Sequence, residues 1–526
     1  MANPLYIIAY DNGTSGTKVA ITKITDKIEI VGSYLAEYGV IYPEGIPNAC
    51  EQDPKEWWRA ICEGTKHVIQ QSGITVDKID GISFSTQTQC ALFVDEKGEP
   101  LENPYIWIDG RATEQYEKGI KRGLLKASGY NLGMILKFIS VTGGGPASPK
   151  DQIWKYQWFK QHKPDKYKHL YKMLDCKDYL VFKCTGNMHT SVDSAAITWL
   201  YDTRPGKFVW HKGLCKTVGI AVEHLPEVKK STDISGDLTA TAAKEMGLKP
   251  GIPVILGGVD ASCIPVGSGA VNLHETHIYV GTSGWVTTVV DKRDTNVTDY
   301  EAATPGAIPG LFNYIGIMET SGASLAWARD HLADMEVEEA KKQGISSYKL
   351  LDHMVEQVPP GANNVIFAPW LYGNRCPRED THVRGAFFNL SLNTKRREMF
   401  RAVLEGVALH NRWMMDLFAK KKIPVTEPIR FVGGGAKSPV WCQIMADVLG
   451  KQIQPVIYAQ DGGAVGATLI AAVGLKATTF KEGKNLVLAG EIYKPRPEFA
   501  PVYDKLYDAL IWFHDNNQKL YHALNP

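Results

Sequence analysis

Residues 5–18 read Leu-Tyr-Ile-Ile-Ala-Tyr-Asp-Asn-Gly-Thr-Ser-Gly-Thr-Lys, and residues 277–290 read His-Ile-Tyr-Val-Gly-Thr-Ser-Gly-Trp-Val-Thr-Thr-Val-Val. In each, an apolar β-rich run leads into Gly-Thr-Ser-Gly and a second β-rich run follows, over 5–10 and 18–24 in the first and over 277–280 and 285–290 in the second. Two β runs about a glycine-rich turn read as a hairpin. The four letters alone are short enough to recur by chance. Their shared β frame favours duplication of a structural unit. Lys249-Pro250-Gly251-Ile252-Pro253 interrupts a helix-like stretch, so a domain boundary is expected near residues 250–258.

A turn of glycines and small hydroxyl residues brings backbone N–H groups close to a guest and favours anions, phosphate above all. Asp11 precedes the first turn and is placed to hold Mg²⁺, which takes hard oxygen ligands. Lys18 follows it and is placed to neutralise phosphate charge. Gly, Asn and Thr are also ordinary hairpin residues. Two matching turns, one preceded by an aspartate, favour the phosphate reading.

The chain has 526 residues, too many for one ordinary core, so two large or three to four smaller domains are expected. Hydrophobic residues are 44% and charged residues 22%, as in globular proteins. A net charge of +1 argues against nucleic acid or an anionic membrane as the main partner. Nine cysteines without a C-x-x-C pair fit a reducing compartment. Met1-Ala2-Asn3-Pro4 lacks the basic start of a signal peptide. The apolar stretch 462–475 falls short of the about 20 residues a spanning helix needs. A soluble, cytoplasmic chain is expected.

Further elements follow from pattern. Residues 54–71 have helical spacing, with Trp57, Ile61, Val68 and Ile69 on one side. Residues 79–85 and 91–94 read as strands, 153–161 as an aromatic-rich helix, and 493–526 as helix. The middle, 119–148, yields only a loop at Gly143-Gly144-Gly145-Pro146. His274-Glu275-Thr276-His277 has the wrong spacing for a zinc helix and reads as a surface turn. No Gly-Lys dipeptide precedes Ser or Thr, so there is no Walker A loop. Residues 433–438, Gly-Gly-Gly-Ala-Lys-Ser, lie between a strand over 429–432 and a helix over 440–449. They resemble a dinucleotide loop with Ser in place of the third Gly, a fair signal for nucleotide contact.

Residues 254–256 are a short buried strand, and Gly257-Gly258-Val259-Asp260 follows. An aspartate at a helix start is a cap, a general base, or both. Phosphoryl transfer to an alcohol needs a carboxylate that accepts the hydroxyl proton.

These residues resemble the FGGY carbohydrate kinases over most of the chain, from Tyr6 to about Leu475. Residues 11–18 are similar to the first phosphate motif, in a Thr-Ser-Gly form like that of xylulokinases. Glu51-Gln52-Asp53-Pro54 with Trp57-Trp58 is also xylulokinase-like. Trp107-Ile108-Asp109-Gly110-Arg111 matches the Trp-x-Asp-x-Arg element, residues 257–260 the segment of the catalytic aspartate, and 281–284 the second phosphate motif. Residues 433–438 with Trp441, Gln443, Asp447 and Gly450 resemble the adenosine segment, and 385–390 with 398–405 the C-terminal signature. The chain departs from the family pattern at Asn389, where Gly is usual, at Ala261, where a polar residue is usual, and at Gln89, where xylulokinases carry His.

The resemblance implies an α/β fold of two actin-like (ribonuclease H-like) ATPase domains with an interdomain cleft. A sugar-binding domain is expected over 1–254, a nucleotide-binding domain over 255–490 and a helical extension over 491–526. It implies ATP and Mg²⁺, with Thr14, Ser15, Lys18, Thr282, Gly322, Gly434, Gly435 and Ser438 at ATP and Asp11 at the metal. It puts Thr88, Gln89, Trp107, Asp109 and Asp260 at the sugar, with Asp260 as base. The expected activity is ATP-dependent phosphorylation of a small ketose or polyol, by a chain that forms homodimers as the family commonly does. Alternatives are kinases of ribulose, rhamnulose, fuculose, gluconate or glycerol, and a nucleotide-binding protein of the same fold without kinase activity. Asp260 and residues 107–111 argue against the last, because an ATP switch needs no sugar-side base. An NAD-dependent oxidoreductase would need a ribose-binding acid that the sequence does not offer.

Overall fold

The protein is described by a computed structural model covering residues 4–127, 129–296 and 301–525. The reading of residues 1–3 as no leader lies outside them, as does Pro526 of the expected last helix. The first hairpin forms as expected. Strand β1 (Leu5–Asn12) pairs antiparallel with β2 (Gly16–Ile24), which pairs antiparallel with β3 (Ile28–Glu37). Helix α1 (Pro54–Ser72) starts where Asp53 accepts the Lys55 N–H at 2.8 Å and ends at Gly73, whose φ of +66° is left-handed. Strand β4 (Ile79–Thr86) then pairs parallel with β1.

An insertion follows. It carries α2 (Leu132–Thr142), α3 (Gln152–His162) and α4 (Cys176–Thr185). Trp154 and Trp158 of α3 are buried in an aromatic core with Phe93 and Tyr105, a packing role. The stretch that sequence could not resolve is thus largely α2 and the short hairpin before it; residue 128 lies outside the described residues. Strands β5 (Ile234–Asp237), β6 (Pro253–Ile255) and β7 (Gly258–Val259) complete a seven-stranded sheet of order β5–β6–β4–β1–β2–β3, with β7 also on β4.

Helix α5 (Asp260–Ser268) leads to the second half. Its strands are β8 (Glu275–Val280), β9 (Gly284–Val290), β10 (Thr295–Asn296), β11 (Glu301–Pro305) and β12 (Phe312–Met318). Helices α6 (Gly322–Leu332), α7 (Ser347–Glu356) and α8 (Arg396–Lys420) precede β13 (Thr426–Val432). Helix α9 (Pro439–Leu449), β14 (Ile453–Pro455), α10 (Gly462–Gly474) and α11 (Ala500–Leu524) end the chain. The second seven-stranded sheet runs β10–β11–β12–β9–β8–β13–β14.

The two sheets share a plan. The order β3–β2–β1–β4–β6 matches β12–β9–β8–β13–β14, two antiparallel pairings followed by two parallel ones in each. Duplication is therefore real, and the α/β class holds. The turns are not identical: Asn12 faces Thr17 across the first, whereas Val280 faces Gly284 across the second, a loop one residue tighter.

One expected surface turn is corrected. His274 turns, with φ +68°, but Glu275, Thr276 and His277 belong to β8. His277 is fully buried and accepts the Trp285 indole N–H at 3.0 Å; burial pulls its pKa down to about 3, so it stays neutral.

The halves are joined by two helices. Ala464 and Ala467 of α10 pack on Ala9 and Ala20 of the first sheet, and Thr468 bonds Thr22 at 3.0 Å. The division expected at 254/255 falls inside β6, and α10 lies on the sheet of the opposite half. Among the described residues no helix is long and apolar enough to cross a membrane; the apolar run 462–475 forms this interior helix instead. Helices α5 and α10 touch backbone to backbone. A Cβ on Gly267 would lie 1.9 Å from the Gly462 carbonyl oxygen, and one on Gly466 would lie 1.9 Å from that of Cys263. Gly267→Ala is therefore expected to cost about 1–3 kcal/mol through overpacking and to lower the thermal midpoint by several degrees. Gly39→Ala, where a Cβ meets nothing within 4 Å, is the control and should leave the midpoint unchanged.

Candidate active site

The first turn is fixed from four sides. The Gly13 N–H reaches the Gly16 carbonyl at 2.9 Å, and the Tyr38 hydroxyl donates to the Gly13 carbonyl at 2.7 Å. The Gln52 amide donates to the Thr14 carbonyl at 2.6 Å, and the Trp107 indole N–H donates to the Thr14 hydroxyl at 2.8 Å. The structure thus brings Thr14 and Trp107 together, and Trp107 keeps 36% of its surface open. Ser15 is exposed beside them.

Asp11 ends β1 with its carboxylate accepting the Ser85 hydroxyl at 2.8 Å. The same carboxylate faces the start of α10: a Cβ on Gly463 would lie 2.5 Å from it. Burial raises its pKa, and the Ser85 hydrogen bond and Lys18 oppose the rise. Lys18, opposite Asp11 in the ladder, reaches the other half, where it donates to the Gln460 carbonyl at 2.6 Å and pairs with Asp461 at 3.1 Å. Its ammonium reaches a phosphate only by leaving or sharing these partners.

Asp260 opens α5. The cap position itself belongs to Val259, and the Asp260 carboxylate accepts the N–H of Ala261 at 2.6 Å within its own first turn. The segment before it is held by Asp193, which accepts the Val259 N–H at 2.9 Å. Gly257 has φ +69°, and a Cβ there would strike the Phe84 carbonyl oxygen at 2.0 Å, so only glycine fits. Burial, with Asp11 and Asp175 nearby, pushes the Asp260 carboxyl up to about 7.

Thr88 and Gln89 follow β4, and both meet a residue that sequence reasoning missed. Asp175, the cap of α4, accepts from the Thr88 hydroxyl, the Gln89 N–H, the Cys90 N–H and the Gln152 amide, each at 3.2 Å, and from the Ser194 hydroxyl at 3.3 Å. The Gln89 amide donates to Asp151 at 3.2 Å, and the Trp199 indole donates to the same oxygen at 3.0 Å. Burial lifts both Asp151 and Asp175 to about 6. Lys155, fully buried among them, donates to the carbonyls of Gln89 at 2.9 Å and Ile106 at 2.7 Å; desolvation lowers it to about 8. The capping pattern Asp175…Asp178 was the one signal for Asp175, and it pointed only to a helix start.

Asp109 is fully buried, accepts the Cys50 N–H at 2.6 Å and pairs with the Arg111 guanidinium at 2.8 Å; Arg111 also reaches Glu51 at 2.7 Å. Its carboxylate is engaged by this ion pair.

On the second half, Gly322 opens α6 against the second turn: its N–H reaches the Gly281 carbonyl at 2.6 Å. Thr282 is exposed on that turn. Gly433, with φ +90°, and Gly435 lie against Val280, where a Cβ would meet it at 2.4 and 2.7 Å, and Gly434 is exposed beside them. The second turn, Gly322 and the 433–435 loop therefore share one surface. Ser438 is buried and committed: its hydroxyl accepts the Trp441 N–H at 3.0 Å and donates to Asp352 of α7 at 2.8 Å. Tyr279, missed in the sequence, precedes the second turn. Burial raises its pKa, and Asp11 and Asp260 add to the rise, so one residue of the second half lies in the field of both carboxylates. A cavity of about 660 Å³ between residues 228–234 and 305–312 contains none of these groups.

Two ribonuclease H-like halves, with Gly-Thr-Ser-Gly turns at the tips of matching hairpins, define an actin-like ATPase fold. The FGGY family of carbohydrate kinases matches the chain in two parts, its N-terminal domain over residues 6–267 and its C-terminal domain over 277–475. The chain is 30% identical to a xylulose kinase of Staphylococcus xylosus, over 96% of this chain and 100% of that one. It is 27% identical to a gluconokinase of Bacillus licheniformis, over 96% and 95%. The ligand-bound xylulose kinase of Lactobacillus acidophilus superposes with a TM-score of 0.84 at 26% identity, over 99% of each chain. The chain belongs to the FGGY family of carbohydrate kinases and is an ATP-dependent phosphotransferase acting on a small carbohydrate.

Removing the Asp109 charge leaves Arg111 buried with one partner fewer. Asp109→Asn is expected to cost on the order of 3–5 kcal/mol, read as a drop in urea midpoint. A normal midpoint with impaired sugar affinity would assign Asp109 to the sugar site.

Proposed function

We propose that this kinase phosphorylates a hydroxyl of a small neutral ketose or related polyol, of the xylulose kind, with Asp260 as general base. Asp260 itself carries the reading: a desolvated carboxyl, held near neutrality at the start of α5, in the field of Asp11 and of the Asp175 hub. A base with a pKa near the working pH is the best compromise between being deprotonated and being basic.

Phosphoryl transfer otherwise asks a protein for positioning and charge neutralisation. In this reading Thr14, Ser15 and Thr282 present hydroxyls and turn N–H groups to the phosphates, and Lys18 adds charge. Gly322, Gly434 and Gly435 form the wall for the nucleoside, and Ser438 shapes it by capping α9. Asp11 suits Mg²⁺, which takes one or two carboxylates besides phosphate and water. Bound Mg²⁺ would supply charge neutralisation on the phosphates. Asp175 and Asp151 orient Thr88 and Gln89 toward the sugar, Trp107 offers an indole face, and Asp260 takes the hydroxyl proton. The two halves would close on the cleft and exclude water. Nine free thiols suit the cytoplasm, and a homodimer belongs to the same reading.

A neutral substrate is favoured because Asp151, Asp175 and Asp260 are already held up by burial and oppose another carboxylate beside them. A sugar acid is the second reading. It draws on Lys150 and on Arg375, whose charge repels that of Lys150, but Arg375 is engaged by Glu319 at 3.0 Å.

ATP consumption against a panel of ketoses, polyols and sugar acids tests the class. Turnover of a pentulose with none of gluconate is expected; the reverse would establish the second reading. Asp260→Asn should remove most transfer and leave ATP affinity nearly intact, whereas near-normal turnover would reduce Asp260 to a structural group. The free base is the active form, so sugar kcat/KM should rise with pH through about 7 and level above it. A profile flat between pH 5 and 8 (a range of about three units, ample for one titration) would exclude Asp260 as base.

A further inference from the structure

The end of α2 is held from the other half of the molecule. Arg293, in the connection after β9, donates from one guanidinium nitrogen to the Val141 carbonyl at 2.8 Å and the Thr203 hydroxyl at 3.3 Å, and from another to the Ser140 carbonyl at 3.3 Å. The Thr295 hydroxyl bonds the Gly143 carbonyl just beyond. The last carbonyls of a helix lack intrahelical partners and carry the negative end of its dipole, so a cation is favoured there. A planar guanidinium serves several acceptors at once, which an ammonium does less well. The arginine stem lies along Gly143, where a Cβ would meet Arg293 Cδ at 3.3 Å and where φ is +78°.

From that anchor the contacts run to the sugar loop without a gap. Gly144 packs on the Trp199 ring so closely that a Cβ would lie 2.3 Å from it. The Trp199 indole donates to Asp151 at 3.0 Å, and Asp151 accepts the Gln89 amide at 3.2 Å. Asp151 also accepts the Ser148 N–H at 2.9 Å, at the end of the same glycine loop.

We propose that Arg293 is a positioning residue for the sugar site: holding the end of α2 from the second half fixes the 143–148 loop and, through Trp199 and Asp151, the amide of Gln89. The functional part rests on Gln89 as a sugar contact; the structural part does not. The sugar-side loop is then held in place from the second half, by Arg293 with Thr295 beside it.

Hydrogen exchange on the full chain and kinetics test the two parts separately. In Arg293→Ala, exchange over residues 140–148 should rise about tenfold or more while α1 stays as in the wild type. With a sugar that the wild type phosphorylates, KM for sugar should rise about tenfold, with KM for ATP and kcat within about twofold. Millimolar guanidinium should restore the sugar KM, and Arg293→Lys, a milder change should the alanine variant fold poorly, should fall between. Unchanged exchange over 140–148, or equal changes in both KM values, overturns the proposal. If the wild type turns over no sugar, the kinase reading is what fails, and exchange alone decides the anchor.

Discussion

Two helices can lie backbone against backbone only where both lack side chains at the contact. Helices α5 and α10 do so at Gly267, Gly462 and Gly466, where an added Cβ on Gly267 or Gly466 would lie 1.9 Å from a carbonyl oxygen of the other helix. Each helix begins at one carboxylate of the site: α5 at Asp260, and α10 beside Asp11, with Gly463 leaving room for that carboxylate. The crossing therefore sets the separation of the two acids and places positive helix ends near both. It also lays α10 across the first sheet, so the second half cannot move without moving the wall behind Asp11.

Burial drives the chemistry of the cleft. Asp11, Asp151, Asp175 and Asp260 are all raised by desolvation, Asp151 and Asp175 to about 6 and Asp260 to about 7. The two halves share a strand plan but not this electrostatics. Alignment of the Gly-Thr-Ser-Gly turns puts Tyr279 where the first half has Asp11, and β9 has Trp285 opposite Tyr279 where β2 has Lys18 opposite Asp11. Tyr279 and Trp285 stack at 4.0 Å. One turn thus carries a charged pair across its hairpin, and the other an aromatic pair.

A local rule accounts for one departure from the family pattern. Asn389 stands at φ +65°, the left-handed region that Asn tolerates best after Gly, and its amide reaches the Asn364 carbonyl at 2.8 Å. Gln89 too has a positive φ, +58°, so its amide turns to Asp151 while its N–H meets Asp175. Asp109 shows the opposite case. Its motif was legible, Arg111 included, but the burial of its carboxylate and its bond to the Cys50 N–H, 59 positions upstream, come only with folding.

The sequence by itself determined the duplicated hairpins, the α/β class and the order of motifs that marks the family, because these depend on local pattern and turn chemistry. Asp260 was legible as cap or base; its desolvation was not. The tertiary structure decided the rest. Asp175 gathers groups from residues 88–90, 152 and 194, and Arg293 reaches residues about 150 positions upstream. Burial and long-range hydrogen bonding fix which carboxylate is desolvated, which is an ion-pair partner and which is a hydrogen-bond hub, and neither is written in the spacing of residues along the chain.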